Sequence, residues 1–347
     1  MLGVDIGASS IKLVELGQHA QGRWVLECCA MEPLEKGCVV DGNIEQFDAV
    51  VDALRRVLKQ SGSKARLAAL ALPHTAVITQ RVVLPALLKE DEMALLVEAE
   101  AGHCIPFSLD EVCLDFCVIG PNAKSAEDVD VLLAASRRDK VEERQALAQA
   151  VGLQATLLDI ETHAVRLAAS RLIAAQPQGG RDAVVALLKI GGLSSHVQLV
   201  LHGELLFERE QALGGVQLTQ MLASHYGCSL AEAEAKKHAG DLPGDGASAV
   251  LQPFLHGLAA EVQRSLQFFF SSSAQQSVQQ ILVFGGSAGL PGMAQAMAQQ
   301  LQMPVVVANP FQGMQSGARL HPACLAQDAP AYVTACGLAM RRFGPCC

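Results

Sequence analysis

Two rhythms of apolar residues run through the chain. Ile11, Leu13 and Val25 alternate with polar neighbours and Gly17 and Gly22 mark turns, so the first twenty-nine residues predict a hairpin or three-strand meander. Phe47, Val50, Val51, Leu54, Val57 and Leu58 recur at helical spacing, which predicts an amphipathic helix over 45–60. Leu67 to Leu72 is an apolar run stopped by Pro73, a buried strand. A compact unit follows: a helix from Glu90 to His103, strands at 112–119 and 129–136 joined across Pro121 to Asp128, a helix from Arg138 to Val151 and a short strand at 153–158. A helix at 161–175 leads into Gln176-Pro177-Gln178-Gly179-Gly180, the best linker in the sequence.

After the linker the pattern begins again. Val184 to Ile190 is a strand, Gly191-Gly192 a turn, and 195–201 and 205–210 a hairpin around Gly203. Helices at 216–226, 229–239 and 249–270 precede a strand at 281–284, a helix at 292–302, a strand at 304–307 and a last helix at 330–342. Val4-Asp5-Ile6-Gly7-Ala8-Ser9-Ser10 and Leu188-Lys189-Ile190-Gly191-Gly192-Leu193-Ser194-Ser195 both run strand, glycine turn, two hydroxyls, alternating strand. Such self-similarity marks a duplicated unit. The fold expected is α/β, two similar halves with a cleft between them.

Composition narrows the function. At 347 residues, about two domains of roughly 150 are expected. Half of the residues are hydrophobic and the net charge is −9, which excludes a disordered chain and argues against nucleic acid, whose binders need a basic face. No apolar stretch reaches the length of a membrane helix, and no secretory signal opens the chain, so a cytoplasmic protein without direct membrane insertion is expected. The eleven cysteines form no C-x-x-C pair and are read as mostly small buried hydrophobes in a reducing compartment.

The candidate chemistry lies at the glycine turns. A turn without Cβ atoms brings backbone N–H groups close to an anion. Asp5 stands before the first turn, where it could hold a hydrated Mg²⁺, and Lys12 on the returning strand could approach outer phosphates. Gly191, Gly192 and Ser194 supply an opposing turn. Ile281 to Phe284 is a buried strand ending in Gly285-Gly286-Ser287, a flat backbone surface for a purine and ribose. The helix carrying Glu234 and Lys237 could close over the base.

In this order the pieces resemble the actin-like ATPase superfamily. The resemblance narrows to the PilM family, cytoplasmic proteins of the type IV pilus machine, on Ser10-Ile11-Lys12-Leu13-Val14-Glu15-Leu16, Ile105-Pro106-Phe107, Arg209 to Gly215, Asn309-Pro310-Phe311 and Asp328-Ala329-Pro330. It implies an actin-like, duplicated RNase H-like fold with a central nucleotide cleft and an inserted subdomain like that of the division protein FtsA. The implied boundaries are 1–85 for the first half, 86–158 for the insert, 159–180 for the connecting helix and linker, 181–324 for the second half with a helical subdomain at about 212–275, and 325–347 for a helix returning to the first half. The resemblance implies ATP or ADP as ligand. Asp5, Gly7, Ser9, Ser10 and Lys12 match the first phosphate motif, Gly191, Gly192 and Ser194 the second, Gly214 and Gly215 the ribose side, Glu234 and Lys237 the base side, and Gly285, Gly286 and Ser287 the adenosine motif. Asp5 and Glu161, on the helix where relatives order the attacking water, are the catalytic candidates.

Two departures from the family pattern bear on activity. Lys189 stands where relatives usually carry an aspartate that helps hold the metal's water shell, so ATP hydrolysis and Mg²⁺ are in more doubt than nucleotide binding. Relatives also carry a short segment before the first strand, so the expectation is a missing tail or a start upstream of Met1. The implied function is a scaffold in fimbrial biogenesis and twitching motility, recruited to the inner face of the inner membrane. It would bind the cytoplasmic N-terminal peptide of a PilN-like protein, with the pilus motor ATPases and copies of itself as further partners. The alternatives are an active ATPase of the same machine, an FtsA-like division protein or a small-molecule kinase. The expected partner groove is the seam of insert and first half, with Val82, Leu84, Leu88, Ile105 and Phe107 along it.

Overall fold

The computed structural model describes residues 1–19, 22–176, 183–317 and 328–343. Most of the expected linker, the boundary near 324 and the terminal Cys346-Cys347 pair lie outside the described residues. The chain opens with an antiparallel meander, β1 (Leu2–Ile6), β2 (Ser10–Gln18) and β3 (Trp24–Pro33). A small hairpin, β4 (Val39–Val40) and β5 (Asn43–Ile44), leads to α1 (Phe47–Ser61), whose buried face is Val50, Val51, Leu54 and Val57 and whose end is set by Gly62 in the left-handed conformation. Next come β6 (Leu67–Leu72), β7 (Val77–Pro85), α2 (Glu90–Cys104), β8 (Val112–Pro121), β9 (Asp128–Arg137), α3 (Arg138–Ala150), β10 (Gln154–Ile160) and α4 (Glu161–Ala174).

The second half repeats the plan with β11 (Val185–Ile190), β12 (Ser195–Leu201) and β13 (Glu204–Gln211). Helices α5 (Gly215–Tyr226), α6 (Leu230–Ala239) and α7 (Gln252–Ser272) follow, then β14 (Gln280–Phe284), α8 (Met293–Leu301), β15 (Val305–Val307), β16 (Gln315–Ser316) and α9 (Val333–Met340). The helix expected at 249–270 is divided, a π-helical turn at Ala247–Leu251 running into α7 with Pro253 in its first turn, where the missing N–H costs nothing.

The duplication is visible in the sheets. The first sheet runs β10-β6-β1-β2-β3-β16 and the second β13-β12-β11-β14-β15. In each, a three-strand antiparallel meander lies beside a parallel strand, β6 on β1 and β14 on β11. One apolar core joins the two: Val14, Leu16 and Leu26 from one sheet, Val185, Leu187 and Phe284 from the other, with α4 and α9 between them. This helical layer makes the halves one body.

The boundaries of the insert shift. The three-stranded sheet is β7-β9-β8, so β7 belongs to the insert and not to 1–85. β10 pairs with β6 in the large sheet, and Leu147, Ala148 and Leu153 pack into the first-half core, so α3 and β10 belong to that half. Alternation alone reports a half-buried strand without saying which sheet it joins. Arg144 of α3 is buried and donates to the carbonyls of Gly42 and Ala71 at 2.7 and 3.4 Å, which anchors α3 to the first half. Among the eight described cysteines only Cys28, Cys38 and Cys336 are buried, so the sequence expectation of mostly buried thiols fails.

The α4–α9–β1 contact depends on two glycines. A Cβ on Gly337 would lie 1.8 Å from the Ala164 carbonyl oxygen, and one on Gly3 would lie 2.0 Å from that of Ala335. A helical Gly→Ala change ordinarily gains about 1 kcal/mol. Overpacking against backbone costs about 3 kcal/mol and outweighs it. Gly337→Ala therefore lowers stability by about 2 kcal/mol, measured as a lower urea midpoint at unchanged slope.

Candidate functional site

The cleft forms where the central strands of both sheets end. In the β1–β2 register Asp5 lies opposite Lys12, and the turn between them closes with the Gly7 N–H donating to the Ser10 carbonyl at 3.1 Å. The second turn closes in the same way, Gly191 N–H to the Ser194 carbonyl at 2.8 Å. Hairpin closure thus takes the N–H groups of Gly7 and Gly191, which leaves these two glycines as packing surfaces of the turns. The turn tips are the neighbours, Ala8-Ser9 and Gly192-Leu193. These tips meet: a Cβ on Gly192 would stand 3.3 Å from Ser9 Oγ.

Charge at the strand ends is paired. Lys12 Nζ lies 3.5 Å from the Asp5 carboxylate and 3.5 Å from the Ser10 carbonyl, and both charged residues are buried. Lys189 forms an ion pair with Glu161, the first residue of α4. Burial pushes the Lys189 ammonium down to about 8, Asp5 pulls it up and Lys12 pushes it down again. The catalytic candidates Asp5 and Glu161 each face an ammonium. Among the described residues no three His, Cys, Asp or Glu side chains stand together as a metal cluster. Asp5 and Glu161 each stand against an ammonium group, an arrangement that does not suit Mg²⁺, which is held by oxygen donors and repelled by cations. The donors present suit a polyanion.

A transverse row extends from Lys189. Lys189 lies opposite His196 in the β11–β12 register, and His196 opposite Glu210 in the β12–β13 register. His196 stacks on His74 of the first half with ring centroids 4.7 Å apart. Burial, then His74 and Lys189, push His196 down to about 3, so it stays neutral beside the lysine. Sequence reading missed His74, His196 and Glu210; strand register pairs the last two and only the packing of the halves brings His74 to them, since they lie far apart along the chain.

The other side of the cleft is built by α5 and α6. The N-terminus of α5 seats on the second turn, with Gly215 and Val216 N–H donating to the carbonyls of Gly191 and Gly192, both at 2.9 Å. A Cβ on Gly214 would lie 2.4 Å from the Gly192 carbonyl oxygen, so Gly214 is needed for this approach. Ser229 and Glu232 cap α6, which carries Lys237 inward. Its Nζ donates to the Gly215 carbonyl at 3.2 Å, Thr219 Oγ1 at 2.9 Å and Glu234 Oε2 at 2.8 Å. Gly215 also abuts Ser287. A pocket opens here, lined by Lys237, His238, Gly286, Gly289, Leu290 and Asp328. The structure thus gathers Gly214, Gly215, Glu234, Lys237, Gly286 and Ser287 on one wall.

Of the expected groove residues, Leu84 and Ile105 are buried in the insert's own core, and Val82 and Leu88 pack on it. Leu84 and Ile105 thus fill the subdomain, while Val82 and Leu88 stay half-buried at its edge. Phe107 is 41% exposed, with the Arg137 guanidinium 6.0 Å from its ring centre. It sits beside the junction, where Arg138 donates to the carbonyls of Asp110 and Val112.

Two duplicated half-sheets clasping a cleft, joined by a shared helical layer, define an actin-like α/β protein. Solved structures agree. The PilM-PilN type IV pilus biogenesis complex matches with a TM-score of 0.81 and 28% identity over 99% of this chain and 98% of that one. The ethanolamine utilization protein EutJ from Carboxydothermus hydrogenoformans matches at 0.57 and 18% identity over 98% and 88%. MreB5 of Spiroplasma citri bound to ADP matches at 0.50 and 12% over 98% and 95%. The last two share the fold alone. The profile of the type IV pilus assembly protein PilM family matches residues 3–343, and the chain belongs to that family.

The adjacent glycines of the turn after β14 have opposite duties. Gly285 has φ +107° and a Cβ there would lie 2.0 Å from the Ile190 carbonyl oxygen, whereas a Cβ on Gly286 meets nothing within 4 Å. Gly285→Ala should cost about 3 kcal/mol or prevent folding, and Gly286→Ala should stay within about 0.5 kcal/mol of the parent in the same urea titration.

Proposed function

We propose that the chain is a nucleotide-binding, actin-like scaffold of the type IV pilus assembly platform. It holds the cytoplasmic N-terminal tail of a PilN-like inner-membrane protein and works at the inner face of that membrane. The observation that carries this reading is the similarity, over nearly the whole of both chains, to a PilM-PilN complex. No described helix is long and apolar enough to cross a membrane, so attachment through a partner suits the chain. The tail docks beside the insert's junction, at Phe107 and Leu109, which are 41% and 39% exposed. A short peptide needs apolar anchors with a polar rim, which the Arg137–Phe107 contact supplies.

The nucleotide, ATP or ADP, lies in the cleft. Ser9, Ser10, Ser194, Lys12 and Lys189 serve the phosphates, and Gly286, Ser287 and Lys237 the nucleoside. Hydrolysis is weak or absent, because Asp5 and Glu161 are both tied to lysines.

The lysine gives the nucleotide reading a pH signature. Lys189 ionises near 8, so raising the pH through that value removes a positive charge from the phosphate side. ADP affinity, measured by calorimetry, should fall by about tenfold between pH 7 and 9. In Lys189→Met the affinity should be lower throughout and flat across that window. A wild-type affinity that is equally flat would remove Lys189 from the site.

The partner reading is tested with a synthetic N-terminal peptide of the neighbouring membrane protein. Binding should change little with salt, since the anchors are apolar and the chain is acidic. Phe107→Ala should weaken it by about tenfold or more. Lys12→Ala, at the nucleotide turn, should leave it intact in a folded protein. Peptide crosslinks confined to 216–270 would contradict the seam.

A further inference from the structure

Ser194 ends the second glycine turn, and its hydroxyl donates to Glu210 Oε1 at 2.6 Å. The other carboxylate oxygen of Glu210 lies 3.4 Å from His74 Nε2. His74 opens the 3₁₀ turn His74–Ala76, which follows Pro73 at the end of β6 and runs into β7 of the insert. The returning crossing is fastened to the same turn: Ser136, at the end of β9, donates to the Ala76 carbonyl at 2.8 Å and lies opposite Val77 in the β7–β9 register. Both chain crossings of the insert therefore converge within two residues of His74. A continuous set of contacts leads from a phosphate turn of the second half to the root of the insert on the first.

This set has two discrete arrangements, because a serine hydroxyl carries a single proton. While Ser194 donates to Glu210, the carboxylate is shared between the turn and His74. When Ser194 donates to a phosphate oxygen instead, Glu210 loses that donor and keeps His74 as its remaining partner. The row behind it is poised for such a change. His196, opposite Glu210, stays neutral and packs on the His74 ring, so it holds the imidazole in place without adding charge. A second contact along the same edge strand, Arg81 of β7 to Glu204 of β13 at 3.4 Å, lets a shift at the root be followed by the sheet of the insert.

We propose that Glu210 and His74 couple phosphate occupancy of the second glycine turn to the insert, with Ser194 as the two-way donor. The inference rests on the nucleotide reading above and deepens it: the cleft does more than store a ligand, since filling it changes the seating of the subdomain that carries the partner seam. Glu210 and His74 are positioning residues here. Coupling of this kind is typically about fivefold or more in an equilibrium constant.

The test is hydrogen exchange across 77–85 and 128–137 in the whole chain, with and without ADP, alongside calorimetry of ADP binding to each sample. In the parent, ADP should change the exchange of these strands by about fivefold or more. His74→Ala should lose that response while still binding ADP. His74→Gln, whose amide can still donate to Glu210, should regain most of it, which a purely structural role of the ring would not produce. A normal ADP heat with no exchange response in the parent, or an undiminished response in His74→Ala, overturns the coupling and leaves the nucleotide site standing. Absence of any ADP heat in the parent overturns the nucleotide reading and the coupling together.

Discussion

The ion pair between Lys189 and Glu161 sets the terms for the rest of the cleft. It joins the penultimate residue of a central strand in one half to the first residue of the connecting helix that leaves the other. Its side chains are 18% and 29% exposed, so losing one partner leaves the other charge partly solvated, at a cost below the about 3–5 kcal/mol of a fully buried pair. It neutralises the carboxylate best placed at the base of the cleft, and with Lys12 it leaves Asp5 facing positive charge on two sides. The base of the cleft is thus two lysine–carboxylate pairs, and the proposed phosphate would draw on ammonium groups that these carboxylates already share.

Geometry then assigns the work of each element. The duplicated meanders present two hairpin turns at the same end of their sheets, and the α4–α9 layer fixes the distance between them through glycines that admit no side chain. Gly214 lets α5 seat on the second turn, Gly215 admits Ser287 beside it, and capped α6 delivers a lysine whose three acceptors lock the far wall. Such a cleft is closely packed at its turns and open where Gly286 faces the pocket. The insert is different, with its own small core and two crossings that meet at one turn, so it is the element best placed to move as a unit.

Much of this was legible in the sequence. Periodicity located nearly every helix and strand, and the repeat of Val4 to Ser10 in Leu188 to Ser195 announced the paired half-sheets. The boundary of the insert was not legible, because the alternating residues of β7 look the same whichever sheet they join. Gly285 and Gly286 are indistinguishable as letters, and only backbone geometry separates the packing glycine from the one facing the pocket. Leu84 and Ile105 looked as eligible for a groove as Phe107 until burial divided them. The row of Lys189, His196 and Glu210 escaped because it runs perpendicular to the chain, as cross-strand neighbours do.

The account stands on a cleft whose countercharge is supplied by lysines. Calorimetric titration of ATP into the whole chain, once with Mg²⁺ and once with excess EDTA, measures this directly. The two affinities should agree within about threefold, well under the 1.4 kcal/mol that a tenfold change represents. Binding that collapses by tenfold or more in EDTA would place a metal where the structure has two ammonium groups, and would contradict the account.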